Sequence, residues 1–178
     1  MDTQIKSKDR VAAHGEVFTN PREVNAMLDL VKAETERLDS RFLEPACGDG
    51  NFLIEILRRK LAVCEERVKS KKYTQLQYEE NAVLAVSSIY GIEILPDNAE
   101  ACRKRLLEFF IEQYRSLFKS KCKDACVEAV KYILSKNIIL GDALTYKRVD
   151  GSGEWIHICE WSPVGGGKFN RRDYEFSY

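Results

Sequence analysis

The sequence predicts an α/β domain with a parallel, doubly wound sheet. Short apolar segments suited to buried strands alternate with segments of helical periodicity, in the order β-α-β-α-β. A turn with two glycines joins the first strand to the next helix. The chain of 178 residues, 44% of them hydrophobic, is long enough to bury one sizeable core. These observations together predict one globular unit in which helices connect parallel strands.

An N-terminal arm and a helix are expected in residues 1–40. Asn20 is a suitable helix cap, Pro21 occupies the first helical position, and Glu23 follows three residues after the cap. One face of this helix is apolar and consists of Val24, Met27, Leu28 and Val31. The polar stretch 32–40 closes the element.

The predicted core, residues 41–146, opens with a strand over 41–46 and a turn over 47–50. The buried face of the following helix consists of Phe52, Leu53, Ile56, Leu57, Leu61 and Cys64. Residues 65–80 are rich in charge and poor in apolar side chains. We therefore expect an exposed insertion there.

Two further strands are predicted in the second half of the core. Residues 82–88 look helical, and residues 89–94 are apolar and β-prone, as in a buried strand. Pro96 begins a long amphipathic helix, and its buried stripe consists of Ala99, Cys102, Leu106, Phe109, Phe110 and Leu117. A helix over 124–135 precedes the third strand at 137–140.

The last segment, 147–178, is a polar, glycine-rich extension in which the alternation of helices and strands stops. Residues 155–158 have the pattern of a strand. The basic and aromatic tail over 168–174 indicates a solvated, partly folded end, with contact to DNA phosphates as the alternative.

Composition and charge limit the function classes. Lysine plus arginine (28) equals aspartate plus glutamate (28), so no global basic field draws the protein onto nucleic acid. The six cysteines are scattered, which favours a reduced, cytoplasmic protein. No metal site is predicted, because Cys122 and Cys126 lack a second pair nearby. No long apolar run or secretory signal occurs, so neither a membrane nor export is indicated.

The ends of the three predicted strands carry the candidate ligand residues. Ligands of open parallel sheets bind beyond the carboxyl ends of the strands. Gly48 and Gly50 follow the first strand, where they let the backbone approach a ligand closely. Glu93 ends the second strand and can accept hydrogen bonds from a ribose diol, and Asp142 ends the third and can accept from an exocyclic amine. The three ends together predict a pocket for an adenosine-containing cofactor.

These motifs resemble those of a known family. The segment Glu44-Pro45-Ala46-Cys47-Gly48-Asp49-Gly50-Asn51-Phe52 resembles the cofactor loop of adenine-specific DNA methyltransferases of restriction-modification systems. His14-Gly15-Glu16-Val17-Phe18-Thr19-Asn20-Pro21 resembles the element that such enzymes carry upstream of it. Tyr90-Gly91-Ile92-Glu93-Ile94 and Gly141-Asp142-Ala143-Leu144 resemble their second and third cofactor motifs. The resemblance covers residues 10–145. It implies a Rossmann-like sheet of the S-adenosylmethionine-dependent methyltransferase type with a helical N-terminal element, S-adenosylmethionine as cofactor, and DNA with a target adenine as partner.

The resemblance also implies roles for residues around the first loop. Thr19 and the backbone of Cys47, Gly48, Asp49 and Gly50 would hold the methionine part of the cofactor, with Glu44 near its ammonium group. The family's upstream element has threonine followed directly by proline, whereas here Asn20 intervenes. Thr19 is equally consistent with a place in the cap of the following helix.

The other two strand ends would hold the nucleoside. By resemblance, Glu93 takes the ribose hydroxyls and Asp142 takes the adenine amine. Ile94 and Ala143 would pack on the adenine ring. The remaining predicted cofactor residues belong to the first loop and are Pro45, Ala46 and Phe52.

The catalytic element of the family is missing from the sequence. That element is a short Asn/Asp/Ser-Pro-Pro-aromatic loop after the fourth strand, which grips the flipped adenine. The nearest candidate is Trp161-Ser162-Pro163-Val164, which lacks the second proline and the aromatic residue, so an edge strand and turn are favoured over a catalytic role for Ser162 and Pro163. We therefore expect a catalytic or target-recognition subunit, or a longer chain, to provide the loop.

Two other functions are consistent with parts of the pattern. The missing loop favours a non-catalytic cofactor-binding subunit of a modification or phage-defence assembly. A nicotinamide-dependent dehydrogenase would share the Gly48-x-Gly50 turn. However, Leu53 stands where that fingerprint has a third glycine, and Glu93 lies 43 residues after Gly50 instead of about 20.

Overall fold

The computed structural model describes residues 7–14 and 16–176. The first six residues of the predicted arm, Gly15 of the upstream element and the last two residues of the predicted extension lie outside this part. The helices are α1 (Lys8–His14), α2 (Pro21–Asp29), α3 (Lys32–Thr35), α4 (Asn51–Lys69), α5 (Gln75–Ser87), α6 (Pro96–Phe118) and α7 (Asp124–Asn137). The strands are β1 (Phe42–Glu44), β2 (Ile89–Glu93), β3 (Ile138–Asp142), β4 (Lys147–Arg148), β5 (Ile156–Gly165) and β6 (Lys168–Phe176).

The central sheet is mixed and has the order β1-β2-β3-β4. β1, β2 and β3 run parallel, with Phe42 opposite Ile89 and Gly91 opposite Ile138. The short β4 pairs antiparallel with β3. The prediction of a mixed α/β protein with three parallel strands joined by helices is therefore confirmed.

The predicted doubly wound arrangement, with helices on both faces of the sheet, is not confirmed by the described residues, because the two faces carry different kinds of structure. Ile89 and Ile138 belong to the main core cluster with the helices, whereas Ile92 and Ile139 pack with Ile156 of β5. Both crossovers step in the same direction along the sheet, and right-handed crossovers in one direction place their helices on one face. The hairpin β5–β6 covers part of the other face.

Most residues of the exposed insertion predicted over 65–80 are exposed, but the segment is largely helical. α4 continues to Lys69, and α5 begins at Gln75 behind a capping box formed by Thr74 and Gln77. Tyr78 is fully buried and stacks on Tyr114 at a ring separation of 5.9 Å. The charged residues of this region lie on the outer sides of two helices, and so the composition resembled that of a loop.

The C-terminal segment forms an antiparallel hairpin, which confirms the strand predicted at 155–158 and shows an ordered strand over 168–174 where a partly folded end was predicted. The indole N–H of Trp161 donates to Oδ1 of Asn137 over 2.8 Å, and the amide of Gly167 donates to Glu80 at the glycine-rich tip. Phe169 packs against the main core. Most side chains of β6 are exposed, and only Phe169 and Phe176 are partly buried, so this strand has a polar composition.

The apolar face predicted for the helix that begins at Pro21 is correct at two of its four positions. Val24 and Leu28 are buried, but Met27 is 55% exposed and Val31 lies beyond the end of α2. Asn20 caps the helix through a hydrogen bond from the amide of Arg22 at 2.9 Å. Among the described helices, none has an apolar stretch that could cross a membrane.

Candidate cofactor-binding site

A cavity of about 520 Å³ lies at the carboxyl ends of the three parallel strands. Glu44 ends β1, Glu93 ends β2 and Asp142 ends β3, and all three line this cavity. The volume lies in the range of small-molecule and cofactor pockets. The parallel pairing of β1, β2 and β3 thus brings together residues that lie far apart in the sequence.

The loop between β1 and α4 is a tight turn built on two glycines in the left-handed region. Gly48 has φ +54°, and a Cβ there would lie 3.3 Å from the ring of Phe18. Gly50 has φ +93°, and a Cβ there would lie 2.7 Å from Sγ of Cys102. Gly48 therefore faces the cavity, whereas Gly50 is needed for packing against α6.

Arg105 on α6 holds the same loop from outside the cavity. Its Nη1 donates to the carbonyl oxygen of Asp49 over 2.9 Å and to Oδ1 of Asn51 over 3.1 Å, and it forms an ion pair with Oδ2 of Asp49. The other carboxylate oxygen, Oδ1 of Asp49, is buried and has no hydrogen-bond partner among the described residues. Asp49 lines the cavity, so this oxygen is an acceptor suited to a hydrogen-bond donor on a ligand.

Glu93 links the end of β2 to the glycine loop. Its Oε2 accepts from the amide of Gly48 at 2.8 Å and its Oε1 accepts from the amide of Leu95 at 3.0 Å. The residue is only 6% exposed. Each carboxylate oxygen has a second acceptor site, so Glu93 can hold the loop and still accept hydrogen bonds from a ligand.

Asp142 shapes the turn that follows β3. Its Oδ1 accepts from the amide of Leu144 at 2.8 Å, and its Oδ2 accepts from the hydroxyl of Thr145 at 3.0 Å. This is the local turn chemistry typical of aspartate. Leu144, 85% exposed, and Ile94 are apolar side chains at the wall of the cavity.

The N-terminal arm closes another side of the cavity. Asn20, not Thr19, caps α2, and Thr19 lines the cavity one residue before the cap. The carbonyl oxygen of Thr19 accepts from Nδ2 of Asn51 at 3.2 Å, which ties the arm to α4. Glu16 accepts a hydrogen bond from Nδ2 of Asn98 and forms an ion pair with Arg10.

The predicted site residues are gathered here with three exceptions. Gly50 packs behind the loop, and Ser162 and Pro163 lie within β5, outside the cavity. Their neighbour Trp161 contacts Asn137 at the amino end of β3, so they lie toward the opposite edge of the sheet. The predicted residues that do line the cavity are Thr19, Glu44, Pro45, Ala46, Cys47, Gly48, Asp49, Phe52, Glu93, Ile94, Asp142 and Ala143.

Several lining residues were not among those predicted. They are Glu16, Val17, Phe18, Asn51, Leu95, Asn98, Gly141 and Leu144. Most of them lie within the quoted motifs, where position alone could have identified them. Asn98 had a different signal, since it lies in the first turn of α6 directly after the second strand and that turn faces the same edge of the sheet.

The cavity is strongly acidic. Its carboxylates are Glu16, Glu44, Asp49, Glu93 and Asp142, and none of the described residues that line it is a lysine or an arginine. Arg10 and Arg105 compensate Glu16 and Asp49 from outside the lining. Burial raises the pKa of Glu44 against the opposing effect of a hydrogen bond from the Ala46 backbone. A pocket of this charge suits a cationic ligand.

The thiol of Cys47 is not suited to nucleophilic chemistry. A hydrogen bond with Cys102 and burial both raise its pKa. Since the thiolate is the nucleophile, the raised pKa disfavours nucleophilic chemistry at Cys47, and the buried side chain contributes apolar surface. No group of three or more His, Cys, Asp or Glu among the described residues could hold a metal ion.

Comparison with known proteins assigns the family. A family model described as MmeI, DNA-methyltransferase domain, matches residues 19–163. No curated protein and no solved structure matches the chain. The matched region contains the glycine loop and all three strand ends, and the match confirms the resemblance to restriction-modification methyltransferases. The chain belongs to the family of the MmeI DNA-methyltransferase domain.

Proposed function

We propose that this chain is the S-adenosylmethionine-binding part of a DNA methyltransferase that modifies the exocyclic amine of adenine. The observation that carries the proposal is the cavity at the ends of β1, β2 and β3, which a glycine loop and three carboxylates line within a DNA-methyltransferase domain. The parallel strands and their helical connections support a Rossmann-like methyltransferase fold.

The residues at the cavity fit the chemical groups of S-adenosylmethionine. Asp142 would accept from the adenine amine, and Glu93 would accept from the ribose hydroxyls through its remaining acceptor sites. Thr19 and the loop 47–49 would hold the methionine part. The unpaired Oδ1 of Asp49 supports this fit because it can accept from a donor on the ligand. The bound cofactor supplies an electrophilic methyl group.

The adenine ring needs apolar surface on its faces. Ile94 and Ala143 line the cavity next to Glu93 and Asp142, respectively, and Leu144 adds an exposed side chain beside them. This arrangement supports an adenine position at the ends of β2 and β3. The geometry disfavours a nicotinamide dinucleotide, since its pyrophosphate would add two negative charges to a cavity that the described lysines and arginines do not line.

The transfer step needs a group that grips the target base. Ser162 and Pro163 lie in β5 toward the other edge of the sheet, which argues against a degenerate catalytic loop there. We therefore propose that a partner subunit or a longer chain provides that loop. The same observation favours the second candidate function, a non-catalytic cofactor-binding subunit of a modification or phage-defence assembly.

Calorimetry with S-adenosylmethionine and NAD tests the cofactor. We expect binding of S-adenosylmethionine and no comparable binding of NAD. Asp142→Ala should weaken the binding by about 1–3 kcal/mol, because the adenine amine loses its acceptor. Asp150→Ala is the matched control, since Asp150 forms a similar turn with Ser152 away from the cavity. Tight NAD binding without a response to S-adenosylmethionine would contradict the assignment.

Transfer of a labelled methyl group to unmethylated genomic DNA tests whether the catalytic loop must come from a partner subunit or a longer chain. The isolated chain at low salt should show little or no transfer, because cofactor binding does not position the base. Robust turnover that is lost on Ser162→Ala would contradict this part of the proposal and return Ser162 to a catalytic role.

A further inference from the structure

The first strand of the sheet, β1, is paired along only one of its two edges. It lies at the end of the strand order and pairs with β2 alone in the part of the chain that the structure describes. The amide of Phe42 donates to the carbonyl oxygen of Ser88 over 3.0 Å, and alternate residues of a parallel strand face the same neighbour. The backbone N–H and C=O of Leu43 therefore point away from β2, toward the open edge.

An apolar groove of about 350 Å³ lies beside this open edge. The aromatic and aliphatic side chains that line it come from β1, β2 and the hairpin β5–β6 and are Phe42, Leu43, Tyr90, Ile158, Tyr174 and Phe176. Arg41 and Glu160 also line the groove, but they form an ion pair, so their charges are compensated. Leu43 at the centre of β1 is 44% exposed. An unpaired edge beside an apolar groove is a surface to which another strand can add.

The open edge also adjoins the cofactor cavity. Glu44, which ends β1, and the following Pro45 both line that cavity. Both crossovers of the parallel sheet lead away from β1, because the strand order is β1-β2-β3. In open α/β sheets a ligand binds where the connections diverge, with strands on both sides of that point. β1 occupies such a point only when a further strand pairs with its open edge.

We propose that the open edge of β1 and its groove are the docking site for a parallel strand that leads into the catalytic loop. The proposal rests on the proposed function, in which a partner subunit or a longer chain provides that loop. A parallel strand ends at the same edge of the sheet as β1, so the loop after it emerges beside the cofactor cavity. Pro45 has no N–H to donate, so pairing along β1 stops level with the cavity.

The surroundings of β1 determine the composition of the docking strand. The side chain beside Leu43 lies on the groove side of the sheet, among apolar residues and one compensated ion pair. The side chains next to Phe42 lie on the helical side, where Phe42 packs against the main core. A strand that is covered on both faces is a continuous apolar run rather than an alternating one. The complementary partner is therefore an uncharged strand rich in valine and isoleucine.

An appended strand tests the docking site in the full chain. The probe is a run of about five alternating valines and isoleucines added after Tyr178. A linker of about 12 glycine and serine residues spans about 20 Å and gives an effective concentration on the order of millimolar. Amide hydrogen exchange at Leu43 should slow about tenfold or more, because its N–H gains an acceptor. The matched control has a proline at the centre of the appended run, which prevents pairing, and should leave exchange at Leu43 unchanged.

The other outcomes of this experiment separate the docking site from the proposed function. Unchanged exchange at Leu43, or new protection confined to β6, would overturn the docking site. Calorimetry of the unmodified chain with S-adenosylmethionine tests the proposed function independently. Slow exchange at Leu43 in the unmodified chain that is lost on dilution would show that a second copy occupies the edge, which would also overturn the proposal. Protection of Leu43 without cofactor binding would leave the strand-binding edge and overturn the proposed function.

Two further measurements test the groove and the direction of the strand. Leu43→Asp places a charge beside the appended strand and should abolish its protection, whereas Val164→Asp should not, because Val164 is 53% exposed and lies outside the groove. Equal protection in both variants would overturn the role of the groove. A nitroxide label at the end of the appended strand should broaden the amide resonance of Ala46 more than that of Ser40, because these residues lie after and before β1. The reverse order would overturn the parallel docking.

Discussion

Glu93 should be essential for the stability of the glycine loop even without a ligand. Both carboxylate oxygens accept hydrogen bonds from backbone amides, those of Gly48 and Leu95, and the residue is 6% exposed. In Glu93→Gln one oxygen is replaced by an NH₂ group, which faces a backbone donor. Losing one charge-assisted hydrogen bond and leaving a buried amide unpaired costs about 2 kcal/mol in the free energy of unfolding.

Urea unfolding of two variants tests this reasoning. Asp142→Asn is the matched comparison, because Asp142 accepts the same number of hydrogen bonds in an exposed turn where water can replace the lost acceptor. It should cost less than about 0.5 kcal/mol. If Glu93→Gln destabilises the chain no more than Asp142→Asn does, the structural role assigned to Glu93 is wrong.

Three further substitutions test other parts of the structure. Gly50→Ala should lower the free energy of unfolding in urea by more than Gly151→Ala does. Both glycines have positive φ, but only Gly50 faces the sulfur of Cys102. In a Cys102→Ala background, the extra destabilisation caused by Gly50→Ala should disappear. Burial lowers the pKa of Lys60 to about 8, whereas its ordinary value in the unfolded chain is 10.5. Between these two pH values the unfolded chain binds more protons than the folded chain, so the free energy of unfolding increases as the pH rises. Relative to Lys60→Met, the wild type should gain about 2 kcal/mol between pH 7 and pH 10, and a difference independent of pH would refute the shift. Ser162→Ala should leave the calorimetric affinity for S-adenosylmethionine unchanged, and a clear loss would contradict its position outside the cavity.

The sequence predicted those parts of the fold and site that follow from hydrophobic periodicity and from the positions of the strand ends. The strand ends at Glu44, Glu93 and Asp142 could be located because apolar strands and amphipathic helices alternate around them. Parallel pairing then fixes that the three carboxylates share one edge of the sheet. This reasoning needs no knowledge of contacts between distant residues.

The sequence could not show which contacts lie behind the site. A sequence does not distinguish a glycine that a ligand approaches from one that a side chain approaches, and Gly50 lies against Cys102 and does not line the cavity. The compensation of Glu16 and Asp49 depends on Arg10 and Arg105, and Arg105 is 56 residues from its partner. Of the hairpin, only β6 was missed, because most of its residues are polar and exposed and do not show the alternation of a half-buried strand.

The central claim is that S-adenosylmethionine binds where the three parallel strands end. Intermolecular nuclear Overhauser effects between the adenine protons of the bound cofactor and methyl groups of the 20.5 kDa chain measure this position directly. We predict contacts to the methyl groups of Ile94 and Ala143 and none to those of Ile158, which lines a separate groove beside β1. Contacts to Ile158 without contacts to Ile94 or Ala143, in a sample saturated with the cofactor, would contradict the account.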